Sequence, residues 1–265
     1  MVRGRYIGAS GMNVQQNRLD TIANNLANVD TAGYKKDVTS IKSFSELLLR
    51  RKDFDGVYEN PFGSADAAPI IGKIGLGAET NENFIDFSEG SLKLTNTSTD
   101  FALHGKGFFV IQTPQGERYT RNGNFIIGKE GILETKDGYP VLGENGIITL
   151  EDDKFKVNED GMIVTKDNEV IDRFRCVRFD NERYLKKAGN SFYCETDISG
   201  PAHIAEGKER PQFIQNYMET SNVNVVNEMV RMIEVNRAYE ANQKTIQSSD
   251  SMMNTLWNRV ASVQR

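Results

Sequence analysis

Apolar side chains recur every seven residues near the C-terminal end of the chain. The stripe consists of Val225, Met232, Tyr239, Ile246, Met253 and Val260. A seven-residue spacing keeps side chains on one face of an α-helix, because two turns take about seven residues. This pattern predicts a long C-terminal helix.

The positions four residues after the stripe are apolar at the ends and polar in the middle. They are Met229, Asn236, Gln243, Asp250 and Trp257. Three consecutive polar positions are difficult to accommodate in a two-stranded coiled coil. We therefore predict that several helices share this seam.

The N-terminal end has a shorter apolar stripe of the same kind. It consists of Met12, Leu19, Ile22, Leu26 and Val29. The pattern predicts a helix that ends at Gly33, a residue suited to a left-handed C-cap. Asn24, Asn25 and Asn28 crowd the end of this helix, although asparagine is a poor helix former. Two roles are compatible with each other: local capping of the helix end by Asn28 and Asp30, and hydrogen bonding of the asparagine amides to a neighbouring chain.

The middle of the chain has the pattern of short strands. Turn dipeptides separate short apolar runs there: Asn122-Gly123, Glu130-Gly131, Asp137-Gly138, Asn145-Gly146 and Asp160-Gly161. This arrangement predicts an all-β sandwich or barrel-like domain. Residues 35–82 contain scattered glycines and prolines, which indicates an extended arm with little core of its own.

These elements together predict an α+β fold. The N- and C-terminal helices would pack together as a coiled-coil-like domain, with an all-β domain and an extended arm inserted between them. The predicted boundaries are 1–34 for the N-terminal helix of the inner α-domain, 35–82 for the arm, 83–200 for the β domain, 201–218 for a return linker and 219–265 for the C-terminal helix.

Composition and charge narrow the classes of function. The 265 residues carry a formal net charge of -5, and no segment is markedly basic, which argues against binding to nucleic acid or to an anionic membrane. No apolar stretch approaches the ~18 residues of a membrane span. The N-terminus lacks the apolar core of a cleavable signal peptide. We expect a cytoplasmic protein or one exported by a route that reads a different signal.

The residues usually needed for catalysis or metal binding do not form a recognisable pattern. His104 and His203 have no HxH or HExxH spacing, and residues 104–109 lack the frame of a phosphate-binding loop. No GxSxG elbow occurs. We predict no catalytic, cofactor-binding or metal-binding residue and no enzyme activity. A soluble enzyme or a carbohydrate-binding β domain is the alternative from another class.

The two cysteines leave one covalent possibility open. Cys176 and Cys194 flank Leu185 symmetrically in what the pattern predicts to be a hairpin. They could therefore face each other across two strands, and both a disulfide and two free thiols are compatible with the sequence.

Three stretches resemble one family, the bacterial flagellar axial proteins of the rod, hook and hook–filament junction. The stretches are ANNLANVDTAGYKK at 23–36, LHGKGFFVIQTPQGERYTRNGNF at 103–125 and the segment 219–253, which begins ETSNVNVVNEM. The length is similar to that of the FlgF and FlgG types of basal-body rod protein. The resemblance leans towards the proximal type, FlgF, with the distal type, FlgG, and a hook or junction protein as alternatives.

The resemblance implies a structural subunit of the flagellar drive shaft that transmits torque from motor to hook. Its implied partners are copies of itself, other rod proteins, the hook protein and the rings around the rod, and the flagellar type III export apparatus. It would be exported to the periplasm without a cleavable signal peptide and without a cofactor. The residues expected at the assembly interface are Met12, Leu19, Ile22, Asn24, Asn25, Leu26, Asn28, Val29, Val225, Met229, Met232, Asn236, Tyr239, Gln243, Ile246, Met253, Trp257 and Val260.

Overall fold

A computed structural model describes residues 2–44, 46–50, 70–150, 155–165, 169–189, 191–205, 207 and 210–263. The chain begins with helix α1 (Val2–Ala27) and ends with helix α2 (Val225–Val263). The strands between them, together with the packing of the two helices described below, confirm the predicted α+β class.

The strands are short and antiparallel wherever their pairing is defined. They are β1 (Asp37–Ser43), β2 (Glu46–Arg50), β3 (Ile70–Gly75), β4 (Ala78–Ile85), β5 (Leu92–Leu94), β6 (Phe101–His104), β7 (Phe108–Thr113), β8 (Gly116–Thr120), β9 (Phe125–Ile127), β10 (Leu133–Thr135), β11 (Phe155–Val157), β12 (Met162–Thr165), β13 (Val170–Arg173), β14 (Cys176–Arg178), β15 (Lys186–Lys187), β16 (Phe192–Cys194), β17 (His203–Ile204), β18 (Gln212–Gln215) and β19 (Tyr217–Glu219). A short 3-10 helix, Glu182–Tyr184, precedes β15.

The chain divides into two compact units. The first comprises Met1–Thr21, Thr39–Asn83 and Val230–Arg265, and the second comprises Ile22–Val38 and Phe84–Met229. Along the sequence, the division between the units falls after Thr21 in α1 and after Met229 in α2.

The two helices pack closely in the first unit. A Cβ atom placed on Gly8 would lie 2.9 Å from Cγ1 of Ile246, and one on Gly11 would lie 2.9 Å from the Asn242 amide nitrogen. Arg5 and Asp250 form an ion pair of 2.8 Å. Packing of the N- and C-terminal helices is therefore confirmed, whereas a coiled coil is not.

Paired strands also belong to the first unit. Strand β1 pairs with β4, and β2 pairs with β3 in a separate hairpin. Side-chain hydrogen bonds tie α1 to this region, from Asn17 to Thr80 at 3.0 Å and between Thr21 and Thr39 at 2.8 Å. The segment 35–82 thus carries paired strands in its described parts, and an extended arm is not confirmed.

A six-stranded antiparallel sheet organises the second unit. Its strand order is β15-β16-β8-β7-β14-β17. Successive side chains of β7 point to opposite sides of the sheet, and both sides are buried. Phe109 and Ile111 join one apolar cluster, around Phe101 and Phe174, and Phe108 and Val110 join the other.

This sheet order excludes a disulfide between the two cysteines. Cys176 lies on β14 and Cys194 on β16, and strands β7 and β8 run between them. Three strand spacings of ~4.8 Å separate the two positions, whereas a disulfide needs Cα atoms within ~7 Å. The predicted simple hairpin is wrong because each of its arms pairs with other strands. Both thiols are free.

The N-terminal helix ends earlier than the sequence predicts. It stops at Ala27, and the Asn28 amide side chain donates to the Asn24 carbonyl oxygen at 2.9 Å. Gly33 is therefore not its C-cap. This glycine has a φ of +66°, and a Cβ atom there would lie 2.5 Å from the Asn122 backbone nitrogen. The position therefore needs glycine for a different reason, a close approach of backbone in a left-handed conformation.

Candidate assembly site

The seven-residue stripe of α2 is half-buried along its described length. This holds for Val225, Met232, Tyr239, Ile246 and Met253, whereas the side chain of Val260 lies outside the described residues. The most buried positions of the helix, Glu228 and Val235, come three residues after the first two members of the stripe.

The companion positions lie mostly at the surface of the single chain. Met229, Asn236, Gln243 and Trp257 are exposed, and Asp250 is half-buried in its ion pair with Arg5. The reason is that α1 approaches α2 at Asn242 and Ile246 through its small residues Gly8 and Gly11. The face directed towards α1 is therefore built from the stripe and the positions three residues after it.

The predicted interface residues of α1 are mostly covered in the single chain. Ile22 is buried, and Met12, Leu19, Leu26 and Val29 are half-buried. Val14 is also buried, which the seven-residue pattern missed because Val14 does not share its spacing.

Asn25 is buried and uses both ends of its amide within the chain. Its nitrogen donates to the Asp37 carbonyl oxygen at 2.9 Å, and its oxygen accepts the Asp37 backbone N–H at 2.9 Å. The Tyr34 hydroxyl lies 2.8 Å from the Asn24 amide oxygen and 3.1 Å from that of Asn25. Asn24 is exposed and Asn28 is half-buried. The Asn25 bonds fasten the segment after α1, whereas the bond that caps the helix end is that of Asn28 to the Asn24 carbonyl oxygen. A role of these asparagines between chains stays a prediction.

Lys187 covers the ring of Tyr34. Its ammonium nitrogen lies 4.2 Å from the ring centroid, and it donates to the Asp37 carboxylate at 2.8 Å and to the Lys35 carbonyl oxygen at 2.9 Å. Burial lowers the pKa of Lys187, although Asp37 opposes the shift. Burial, and then the Asp37 charge, raise the pKa of Tyr34 above its usual value. The cluster therefore holds the segment after α1 in one conformation.

A second charged group is almost completely buried. Lys35, Arg121 and Glu219 have side-chain exposures of 0%, 1% and 1%. The Lys35 ammonium group lies 2.5 Å from one carboxylate oxygen of Glu219, and Arg121 lies 3.7 Å from the other. The sequence gives no local signal for this group because its members are far apart along the chain.

An open cavity of about 580 Å³ borders the Asn-rich turn. Asn24, Asn28, Asn122 and Asn124 contribute amides to its wall, and Asp137 and Lys136 contribute charges. Such a surface can hydrogen-bond a polar partner. Among the described ranges, no group of acidic, histidine and cysteine side chains is arranged to hold a metal ion. No helix in these ranges is long and apolar enough to cross a membrane.

Three family models match successive parts of the chain. They describe a flagella basal body rod protein at residues 6–35, the D1 domain of the flagellar hook protein FlgE/F/G at 102–165 and the C-terminal part of the flagellar basal body rod FlgEFG protein at 214–259. The flagellar basal-body rod protein FlgG of Buchnera aphidicola subsp. Baizongia pistaciae is 33% identical, over 97% of this chain and 99% of that protein. The chain belongs to the flagellar basal-body rod protein family.

Other members of the family agree with this assignment. FlgG of Borreliella burgdorferi is 35% identical over 96% of this chain and 97% of its own length. The hook-basal body complex protein FlhO of Bacillus subtilis is 31% identical over 99% of this chain and 100% of its own length. The chain is thus a structural rod protein of the FlgF/FlgG type and not an enzyme. The relatives do not support the lean towards FlgF.

Proposed function

We propose that this chain is a rod subunit of the distal, FlgG-like type. It assembles with copies of itself and with other rod components through its terminal helices, and it transmits torque from motor to hook. Full-length similarity to proteins named FlgG supports the distal type. The observation that carries the assembly role is an exposed apolar stripe on α2.

The exposed stripe consists of Val226, Val230 and Ile233, with exposures of 68%, 50% and 54%. Their spacing places them on one helical face, opposite the face of Val235 and Ile246. Met229, at its margin, is also exposed. An unpartnered apolar helix face favours association, at about 25 cal/mol for each Å² removed from water.

The face of α2 that contacts α1 at Ile246 continues towards the C-terminal end of α2. Trp257 follows Ile246 by three helical turns and so lies on the same face. It is nevertheless 69% exposed. The predicted interface residues that are exposed in the single chain are Asn24, Met229, Asn236, Gln243 and Trp257, and these are the ones proposed to meet a neighbouring subunit. Ile246 instead packs against α1 within the chain.

The β2–β3 hairpin is proposed to brace neighbouring subunits, as expected for an arm. Leu47, Leu48 and Leu49 are all exposed, and alternation along the strand places Leu48 on the opposite face from the other two. A lone two-stranded hairpin is marginally stable in water. Covering both faces with neighbouring chains would remove this apolar surface from solvent.

The hook protein, the surrounding rings and the type III export apparatus are further proposed partners. The proposed location is the periplasmic part of the basal body, reached without a cleavable signal peptide. The N-terminal sequence of the protein isolated from cells tests this export route. We expect the first residues of the chain, and a terminus produced by a signal-peptidase cut would show that the route is different.

The assembly role can be tested by placing a charge in the exposed stripe. Val230→Asp should leave the purified chain folded, because the wild-type side chain is half exposed and faces solvent. Cells carrying this variant should lack hooks and motility, since the interface would bury an unpaired carboxylate. Thr245→Asp is the matched control, because Thr245 is exposed, neutral and outside the stripe. Motile cells with Val230→Asp would contradict the proposal.

A further inference from the structure

The buried ion group joins three distant parts of the chain. Lys35 follows the turn after α1, Arg121 follows β8, and Glu219 ends β19. The ammonium group of Lys35 also donates to the Ser88 carbonyl oxygen at 2.7 Å. The Glu219 oxygen that faces Lys35 accepts the Gly90 backbone N–H at 3.0 Å. The contact between Lys35 and Glu219 spans 184 residues of sequence.

Backbone hydrogen bonds reinforce the same junction. The Gly33 N–H donates to the Glu219 carbonyl oxygen at 2.8 Å, and the Lys36 N–H donates to the Asn222 side-chain oxygen at 2.9 Å. Asn222 in turn donates to the Asp86 carbonyl oxygen at 2.8 Å. The segment after α1 and the segment before α2 therefore contact each other as well as the β region.

The energetic consequence comes from the burial of the charges. A buried charge that loses its partner is strongly destabilising, whereas a complete pair is tolerated. If β19 were detached, Lys35 would be buried without a carboxylate. If the segment after α1 were detached, Glu219 would keep the Gly90 N–H, and its nearest cation would be Arg121, at 3.7 Å. That arginine already donates to the Gly105 carbonyl oxygen at 2.7 Å.

We propose that the Lys35–Glu219–Arg121 group is a lock that makes the two chain-end segments dock together. The segments are residues 29–38 and 217–222. Neither keeps its native position without the other, so the end of α1 and the start of α2 are fixed in a single cooperative step. The lock operates in the single chain and does not depend on assembly.

Hydrogen exchange of the full-length monomer tests the lock. Lys35→Met should speed the exchange of both segments, on the order of 100-fold, because the Glu219 carboxylate loses its main partner. Glu219→Gln, which keeps the shape of the side chain, should affect the same two segments. Strands β7 and β8 should change much less, since their ladder lies outside the junction.

The double variant and a neighbouring control make the test specific. Lys35→Met combined with Glu219→Gln should speed exchange by less than the product of the single effects, because no unpaired carboxylate or ammonium group remains. Lys36→Met should have a small effect, since the Lys36–Asp86 pair of 3.3 Å is partly exposed and exposed pairs contribute little. The lock is wrong if Lys35→Met loosens residues 29–38 alone, or if the single effects multiply in the double variant.

Discussion

Asn25 shows why a polar residue can occupy a buried position at the end of a helix. Its amide nitrogen donates to the Asp37 carbonyl oxygen, and its amide oxygen accepts the Asp37 backbone N–H. The same oxygen also accepts a hydrogen bond from the Tyr34 hydroxyl. Such a residue contributes by satisfying groups that would otherwise be buried without a partner. The sequence indicates that these asparagines are unusual, but it does not distinguish the buried Asn25 from the exposed Asn24.

Asn25→Ala should therefore destabilise the chain by about 2 kcal/mol or more, because the Asp37 N–H and carbonyl group would both lose their partner. Chemical denaturation of the purified monomer measures this change. Asn24→Ala is the control, and we expect less than half the effect since Asn24 is exposed. Equal effects of the two substitutions would contradict the assigned role of Asn25.

The two cysteines should differ sharply in reactivity. Burial raises the pKa of the Cys176 thiol to about 11. The thiolate is the reactive form, so a raised pKa lowers reactivity at neutral pH, and burial also blocks access. Cys194 is half-buried on β16.

A thiol reagent at pH 8 should modify Cys194 rapidly and Cys176 only after unfolding. Absorbance of the released chromophore measures the number of fast thiols, and we expect one in the wild type and none in Cys194→Ser. Two fast thiols in the folded protein would show that Cys176 is accessible.

The helices show what periodicity can and cannot predict at the scale of an element. The seven-residue spacing of Val225, Met232 and Tyr239 predicts α2, because the geometry of a helix by itself brings residues at this spacing to one face. It does not identify the neighbouring helix, because contact with α1 depends on Gly8 and Gly11, which carry no apolar signal. Most of the companion positions, which the sequence places in a seam shared among several helices, are exposed in the single chain, so their role between chains stays a prediction.

The turns of the β region are also predictable from local sequence. Asp137-Gly138 and Asp160-Gly161 are turns with glycine φ values of +80° and +75°, as local turn chemistry requires. The pairing of these strands depends on contacts between distant residues, such as Leu103 with Phe213. The prediction of a hairpin around Leu185 is therefore wrong, and no local pattern indicates the Lys35–Glu219 contact.

Ile246→Asp tests the contact between the helices. The half-buried side chain packs beside Gly8, so a carboxylate at this contact should loosen α1 and α2 in the first unit. The second unit has its own apolar clusters and should melt unchanged. Circular dichroism should show lost helical signal, while the aromatic near-ultraviolet signal persists, and cells should lack hooks. A lowered melting temperature of the aromatic signal would contradict the independence of the second unit.

At the scale of the whole molecule, one residue reports on assembly. Trp257 is the single tryptophan of the chain, and it is 69% exposed on α2. Burial in a subunit interface would move it from water to an apolar environment.

Tryptophan fluorescence should therefore shift to shorter wavelength when subunits associate, and the shift should increase with protein concentration. Val230→Asp should abolish the shift, whereas Thr245→Asp should retain it. An emission maximum that stays the same in assembled and monomeric samples would show that Trp257 lies outside the interface.

As a structural subunit of the flagellar rod, this chain should be present along the rod of isolated basal bodies. Immunogold electron microscopy of purified basal bodies, with an antibody against the wild-type chain, tests this location. We expect the label along the rod, below the hook, and its loss together with the rod in cells that carry Val230→Asp. Label on the hook beyond the outer membrane, or basal bodies with a complete rod and no label, would contradict this location.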